Sequence, residues 1–148
     1  MKIKLVLLFV MVLVFSCKND PQTGPVEIYY GENVCERCKM IISEKDFAAQ
    51  YQLSAGEAVN FDDLGCMFHY MAEVHKDGIS AIYVMDYGSK TWIDGKNAHY
   101  VWVQSIATPM GHGVIALGNE GEAREFADKE NGKYLGGLSE ATKWVMKK

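Results

Sequence analysis

The sequence predicts an α+β fold: 148 residues lay out a strand pair followed by a helix twice, as two related ββαβ-type halves packed together behind a signal peptide and tether. Three observations carry the prediction. Residues 47–61 alternate apolar and polar side chains across the turn Ser54-Ala55-Gly56-Glu57. Leu64, Met67, Phe68, Met71 and Val74 then recur at helical spacing. A less regular version of the same succession returns between Trp92 and Met146. With 49% apolar residues the chain can build one core shared by two small halves, each sheet covered by helix on one face.

In order, Lys2 and Lys4 precede an unbroken apolar run from Leu5 to Phe15 and the pair Ser16-Cys17, the pattern of a secretory signal ending in a lipoprotein cleavage site. The run falls short of the roughly 20 apolar residues a spanning helix needs. Residues 1–16 therefore read as a signal peptide, and Cys17 as the acylated first residue of a mature chain held to a membrane by lipid. Residues 17–26, with Pro21, Gly24 and Pro25, read as a flexible tether, with order beginning near Ile28. The first half, 27–88, takes strands at 47–53 and 58–61, a helix capped by Asp62 or Asp63 and closed by Gly78, and a buried strand at 81–87. The second half, 89–148, takes strands at 92–94, 99–103 and 114–117. A polar helix at 122–129 is stopped by Asn131-Gly132, and a last helix spans 139–146.

The chemistry concentrates between Val34 and Ile42, where Cys35, Cys38 and Met40 set two thiols and a thioether within six residues. Soft sulfur donors favour Cu(I) over hard cations. A C-x-x-C turn can bring both thiols onto one ion, and if the chain leaves the turn as a strand, Cys38 and Met40 share a face. The same pair also serves as a structural disulfide, a thioredoxin-like redox couple, or half of a zinc site. With Cys17 lipidated, Cys35, Cys38 and Cys66 are an odd set in an exported protein, where an even count is normal. Three reduced sulfurs on a metal account for that number as well as one pair plus a free thiol.

Cys66 lies in the first turn of the expected helix, where the helix dipole favours a thiolate; it reads as a third ligand or redox partner, or as a small buried hydrophobe. Met67 and Met71 belong to the apolar stripe and read as core, while His69, off that stripe, reads as solvent-exposed. The loop Thr108-Pro109-Met110-Gly111-His112-Gly113 presents Met110 without apolar neighbours, which makes it a candidate thioether ligand, with His112 a lesser one. Asp62, Asp63 and Glu44 read as caps and surface charges. A net charge of −4, with no basic run beyond Lys147-Lys148, excludes a nucleic-acid partner. No G-x-S-x-G, H-E-x-x-H or phosphate-binding loop occurs, so the chain reads as a binder and not an enzyme.

Together, the lipidated Cys17, Cys35-x-x-Cys38-x-Met40-Ile-Ile, the stretch from Asn60 through Asp62-Asp63-Leu64-Gly65-Cys66 to Met67, Trp92-Ile93-Asp94 and Pro109-Met110-Gly111-His112 resemble the NosL family, copper-binding lipoproteins associated with nitrous oxide reductase. The resemblance covers residues 33 to 115 and is weak after Gly118. It implies an extracytoplasmic protein, on the periplasmic side and anchored through Cys17. Such a protein binds one Cu(I) and hands it on, through a membrane-associated maturation complex, toward the copper centres of nitrous oxide reductase. It also implies two ββαβ halves similar to part of the organomercurial lyases, with a ligand set of Cys35, Cys38, Met110 and Met40 and with Cys66 as a further member. Self-association beyond a weak dimer is not expected. The rival readings are an extracytoplasmic thiol-disulfide oxidoreductase built on Cys35-Cys38, a general copper-delivery lipoprotein, and a disulfide-stapled adaptor.

Overall fold

The computed structural model describes residues 24–74 and 78–148. The signal peptide, Cys17 and most of the tether lie outside the described residues. After a 3₁₀ turn at Lys45–Phe47, the chain forms β1 (Ala49–Leu53), β2 (Ala58–Phe61), the helix α1 (Leu64–Glu73) and β3 (Ile79–Met85). The register sets Ala49 opposite both Phe61 and Val84, and Tyr51 opposite Val59 and Ile82, so one face of β1 is apolar, with Ala49 and Tyr51 fully buried.

Gln50, on the other face, is buried as well. Its side-chain carbonyl accepts the Val26 N–H (2.8 Å), and its amide donates to Val26 O (2.9 Å) and Asn60 Oδ1 (2.7 Å). Gln52 donates to Gly24 O (2.7 Å) in the same way. These contacts hold the chain from Gly24 onward, ahead of the expected start near Ile28, because two glutamine side chains replace the missing strand partner.

The second half repeats the arrangement. β5 (His99–Trp102), β6 (Val114–Leu117), α2 (Glu120–Lys129) and β7 (Lys133–Gly136) precede the final helix α3 (Leu138–Val145). In each half the first strand is central, the second lies on one side and the strand after the helix on the other: β2-β1-β3 and β6-β5-β7, antiparallel throughout. Two details differ from expectation. The segment Trp92–Asp94 (β4), assigned to the second half, pairs with β3 and closes the edge of the first sheet. β7, flanked by Gly132 and Gly137, is a strand the sequence pattern did not single out.

The halves share one core. Phe68 of α1 meets Tyr100 of β5 edge to face, with centroids 5.4 Å apart, among Ile42, Tyr51, Phe61 and Met67. The alternate β5 residue Val101 turns to a second cluster with Ile115, Leu117, Ala123 and Ala127 beneath α2, so the second sheet is buried on both faces instead of one. Asp86 fastens the sheets together: it bridges to Ala116, and its carboxylate accepts N–H groups from Gly88, Ser89 and, at 2.7 Å, Gly118.

Candidate metal site

The C-x-x-C segment is a tight hairpin, not the start of a strand. Val34 pairs with Ile41, Cys35 N–H donates to Met40 O (2.8 Å), and Lys39 N–H donates back to Cys35 O (3.0 Å). Lys39 takes a left-handed conformation (φ 61°) to close the turn. That conformation breaks the two-residue alternation that would have put Cys38 and Met40 on one face. Met40 instead stands 52% exposed on the outside of the hairpin. Glu36 N–H donates to Asn60 O (2.9 Å), which ties the loop to the end of β2.

This tie places Cys35 and Cys38 against the start of α1, where Cys66 sits. The three sulfurs and one carboxylate oxygen of Asp62 all lie within 4.8 Å of one another. All three cysteines are free thiols; Cys35 and Cys66 are fully buried, and Cys38 is partly exposed at the rim. Asp62 is 2% exposed. One of its oxygens accepts the Cys38 thiol at 3.4 Å, and the other is buried without a hydrogen-bond partner. An unpartnered buried carboxylate oxygen is costly, and a cation among the sulfurs would relieve that cost. Three soft donors with one hard oxygen suit a monovalent soft ion, and also a borderline one such as zinc.

Asp62 was expected to be a cap or a surface charge, and here it is neither. Asp63 alone caps α1, accepting Gly65 N–H at 2.6 Å. Because Asp63 is extended (φ −152°, ψ 138°), its neighbour projects the opposite way, into the sulfur cluster. Two adjacent acids before a helix that needs one cap was the available signal.

The thiols share one negative charge unevenly. A hydrogen bond from Cys66 lowers the Cys35 pKa to about 6 against the opposing effect of burial. Burial, with the nearby Cys35 charge, pushes Cys38 up to about 11. Cys66 rises well above the ordinary thiol range, first because it donates to Cys35 and then because it is buried. The helix dipole was expected to make Cys66 the thiolate; the neighbouring sulfur outweighs it, and Cys66 is the donor of the pair.

Asp63 also brings in the second half. Its Oδ2 accepts the Thr108 hydroxyl (2.5 Å) and Met110 N–H (3.2 Å), and Thr108 Oγ1 accepts Gly113 N–H (3.1 Å). His112 Nδ1 lies 2.9 Å from Asp63 Oδ1, at ion-pair distance without the alignment of a linear hydrogen bond. The Pro-Met-Gly-His loop is thereby fastened to the residue next to Asp62. Met110 is 38% exposed on that loop. His69, expected in solvent, is half-buried with its ring 5.7 Å from that of His112. Met67 is fully buried, and Met71 packs against the core.

Gly65 is required beneath this loop, since a Cβ there would overlap the His112 ring. Gly65→Ala is expected to cost about 1–3 kcal/mol in urea unfolding and to shift the His112 imidazole resonances. Unchanged histidine resonances would mean that the ring does not rest on Gly65.

The sequence profile of the NosL family matches residues 25–142. The chain belongs to the NosL family. The match runs well past Gly118, where the motifs thin out, and takes in the second ββαβ half. Among solved structures, this NosL-family chain is similar to the crystal structure of the copper chaperone NosL from Shewanella denitrificans. The identity is 19% and the TM-score 0.62, over 73% of this chain and 89% of that one; at this identity the likeness is one of fold. Nothing matches among curated proteins.

Proposed function

We propose that this NosL-family protein carries one Cu(I) ion on its sulfur cluster and passes it, as cargo, toward the copper centres of nitrous oxide reductase. The lipid on Cys17 would hold it to a membrane on the extracytoplasmic side. The carrying observation is that the free thiols of Cys35, Cys38 and Cys66, from two segments, lie within 4.8 Å of one another and of a carboxylate oxygen of the buried Asp62. Cys35 and Cys66 form the buried floor, and Cys38 is the sulfur an incoming donor reaches first. Met40 and Met110 stand partly exposed on loops, Met110 on the one that Asp63 fastens beside Asp62, and are taken here as candidate further ligands. A set with one replaceable edge ligand suits transfer; a closed four-ligand site suits retention.

The oxidoreductase reading fits less well. Thiol exchange needs an accessible thiolate, and here the low-pKa sulfur is the buried Cys35 while the accessible Cys38 is held protonated, with its pKa at about 11. No step here calls for bond-making catalysis, so the proposed role is carriage and not an enzyme's.

Anaerobic titration of the reduced protein with Cu(I), in competition with a chromophoric chelator, is expected to give one ion per chain. Loss of both C-x-x-C thiols together with Met110 should abolish that binding, and undiminished affinity in the variant would sink the reading. Incubating the loaded protein with copper-free nitrous oxide reductase should restore the enzyme's copper absorption. A protein that loads but does not restore it is a general copper carrier.

A further inference from the structure

We propose that Arg37 is a positioning residue for the bound ion, supplying the fixed positive charge that lets the Cys35–Cys38–Cys66 cluster remain anionic around a monovalent metal. The inference rests on the Cu(I) reading of the site. Arg37 sits inside the C-x-x-C turn, and its guanidinium reaches across to Glu73 at 3.2 Å. Glu73 lies on α1, seven residues after Cys66, so the two share a helix face and Arg37 lies over it. Against the opposing effect of burial, Glu73 first and then Cys66 raise the Arg37 pKa. Its Nε is buried and has no hydrogen-bond partner, although a charged donor left unsatisfied in this way is expensive.

Counting charge shows what the orphaned donor is for. One Cu(I) with two thiolates leaves the site at −1 and with three at −2, and the Asp62 carboxylate adds another negative charge beside them. In a partly dry site that excess opposes binding unless a cation stands close. Lys39, the other cation of the turn, points outward and pairs with Glu36 at 2.7 Å. Of the two cations of the turn, Arg37 is the one with a buried nitrogen, and its guanidinium is paired to the helix that carries Cys66. Glu73 holds one end of the guanidinium, and the buried Nε is without a hydrogen-bond partner in the protein.

Three variants separate charge from scaffolding: Arg37→Met removes the charge at similar length, Arg37→Lys keeps it, and Glu73→Gln breaks the same ion pair while leaving Arg37 in place. Affinity is read for Cu(I) by chelator competition and for Cd(II) by thiolate charge-transfer absorption. Arg37→Met is expected to weaken both ions about 10- to 100-fold, the range typical of residues around a ligand shell. Arg37→Lys should stay within about threefold of wild type, and Glu73→Gln should bind no more weakly than wild type. Equal affinity of wild type and Arg37→Met overturns the proposal. So does a loss in Glu73→Gln as large as in Arg37→Met, because the ion pair and not the charge would then matter. If the same order holds for Cd(II) while wild type takes up no Cu(I), the role of Arg37 stands and the copper reading falls.

Discussion

Replacing Cys35 by serine is expected to weaken Cu(I) binding by well over 100-fold, more than any change in the surrounding shell. Cys35 is the sulfur on which the others depend: it is fully buried, it accepts the hydrogen bond of Cys66, and its pKa of about 6 makes it the thiolate present before metal arrives. A serine hydroxyl is a hard, protonated donor that a soft ion does not take in exchange. Cys66→Ser should come close to the same loss, because the buried floor would keep one sulfur. Cys38→Ser should differ in kind. It removes the rim ligand but leaves two buried sulfurs, enough for two-coordinate Cu(I), so affinity should fall by only about tenfold while release to a chelator speeds up. Chelator competition and stopped-flow release on the three variants measure both quantities, with circular dichroism to confirm folding. Equal losses at all three positions would mean that the site has no floor and rim. Wild-type affinity in Cys35→Ser would place the copper elsewhere.

The contrast between Cys35 and Cys66 shows how far one dimension carries. The odd count and the C-x-x-C spacing made both cysteines candidate ligands, and α1 was legible from its apolar stripe and its acidic cap. Which sulfur holds the charge was not legible, because helix position is a local signal and the deciding neighbour lies 31 positions away. The same limit hid Asp62. Its chemistry depends on Asp63 taking the cap alone, and on a hairpin from residues 33–42 folding over it. β4 was recognised as a strand and given to the wrong sheet, since pairing with β3 is a matter of register and not of composition. β7 escaped because four residues between glycines hold too few alternations to stand out. Met110 became a candidate for a local reason, a thioether in a loop with nothing apolar to pack on. What fixes that loop is again a distant carboxylate.

Asp63 is therefore where the largest stability effect is expected. Replacing it by asparagine should cost about 3–5 kcal/mol at neutral pH, the range for breaking a buried charge-assisted network by removing one partner. Burial by itself would raise the Asp63 pKa, but His112, the Thr108 hydroxyl and the Gly65 N–H outweigh it and hold the carboxyl below its usual value. An asparagine cannot serve the same donors, since its amide nitrogen would face the Met110 or Gly65 N–H, donor against donor. The sign of the pH dependence follows from the lowered pKa. The unfolded chain takes up the proton near pH 3.9, so the contribution is fully present above that value and is lost as pH falls through the lower folded pKa. The stability gap between wild type and Asp63→Asn should therefore persist from neutrality to about pH 5 and should close below about pH 4. Urea unfolding at several pH values tests this, and a gap that survived undiminished below about pH 3 would contradict it. Because the same carboxylate holds the backbone of Met110, the variant should also lose as much Cu(I) affinity as Met110→Leu does. An affinity untouched by either change would mean that the second half of the fold contributes no ligand at all.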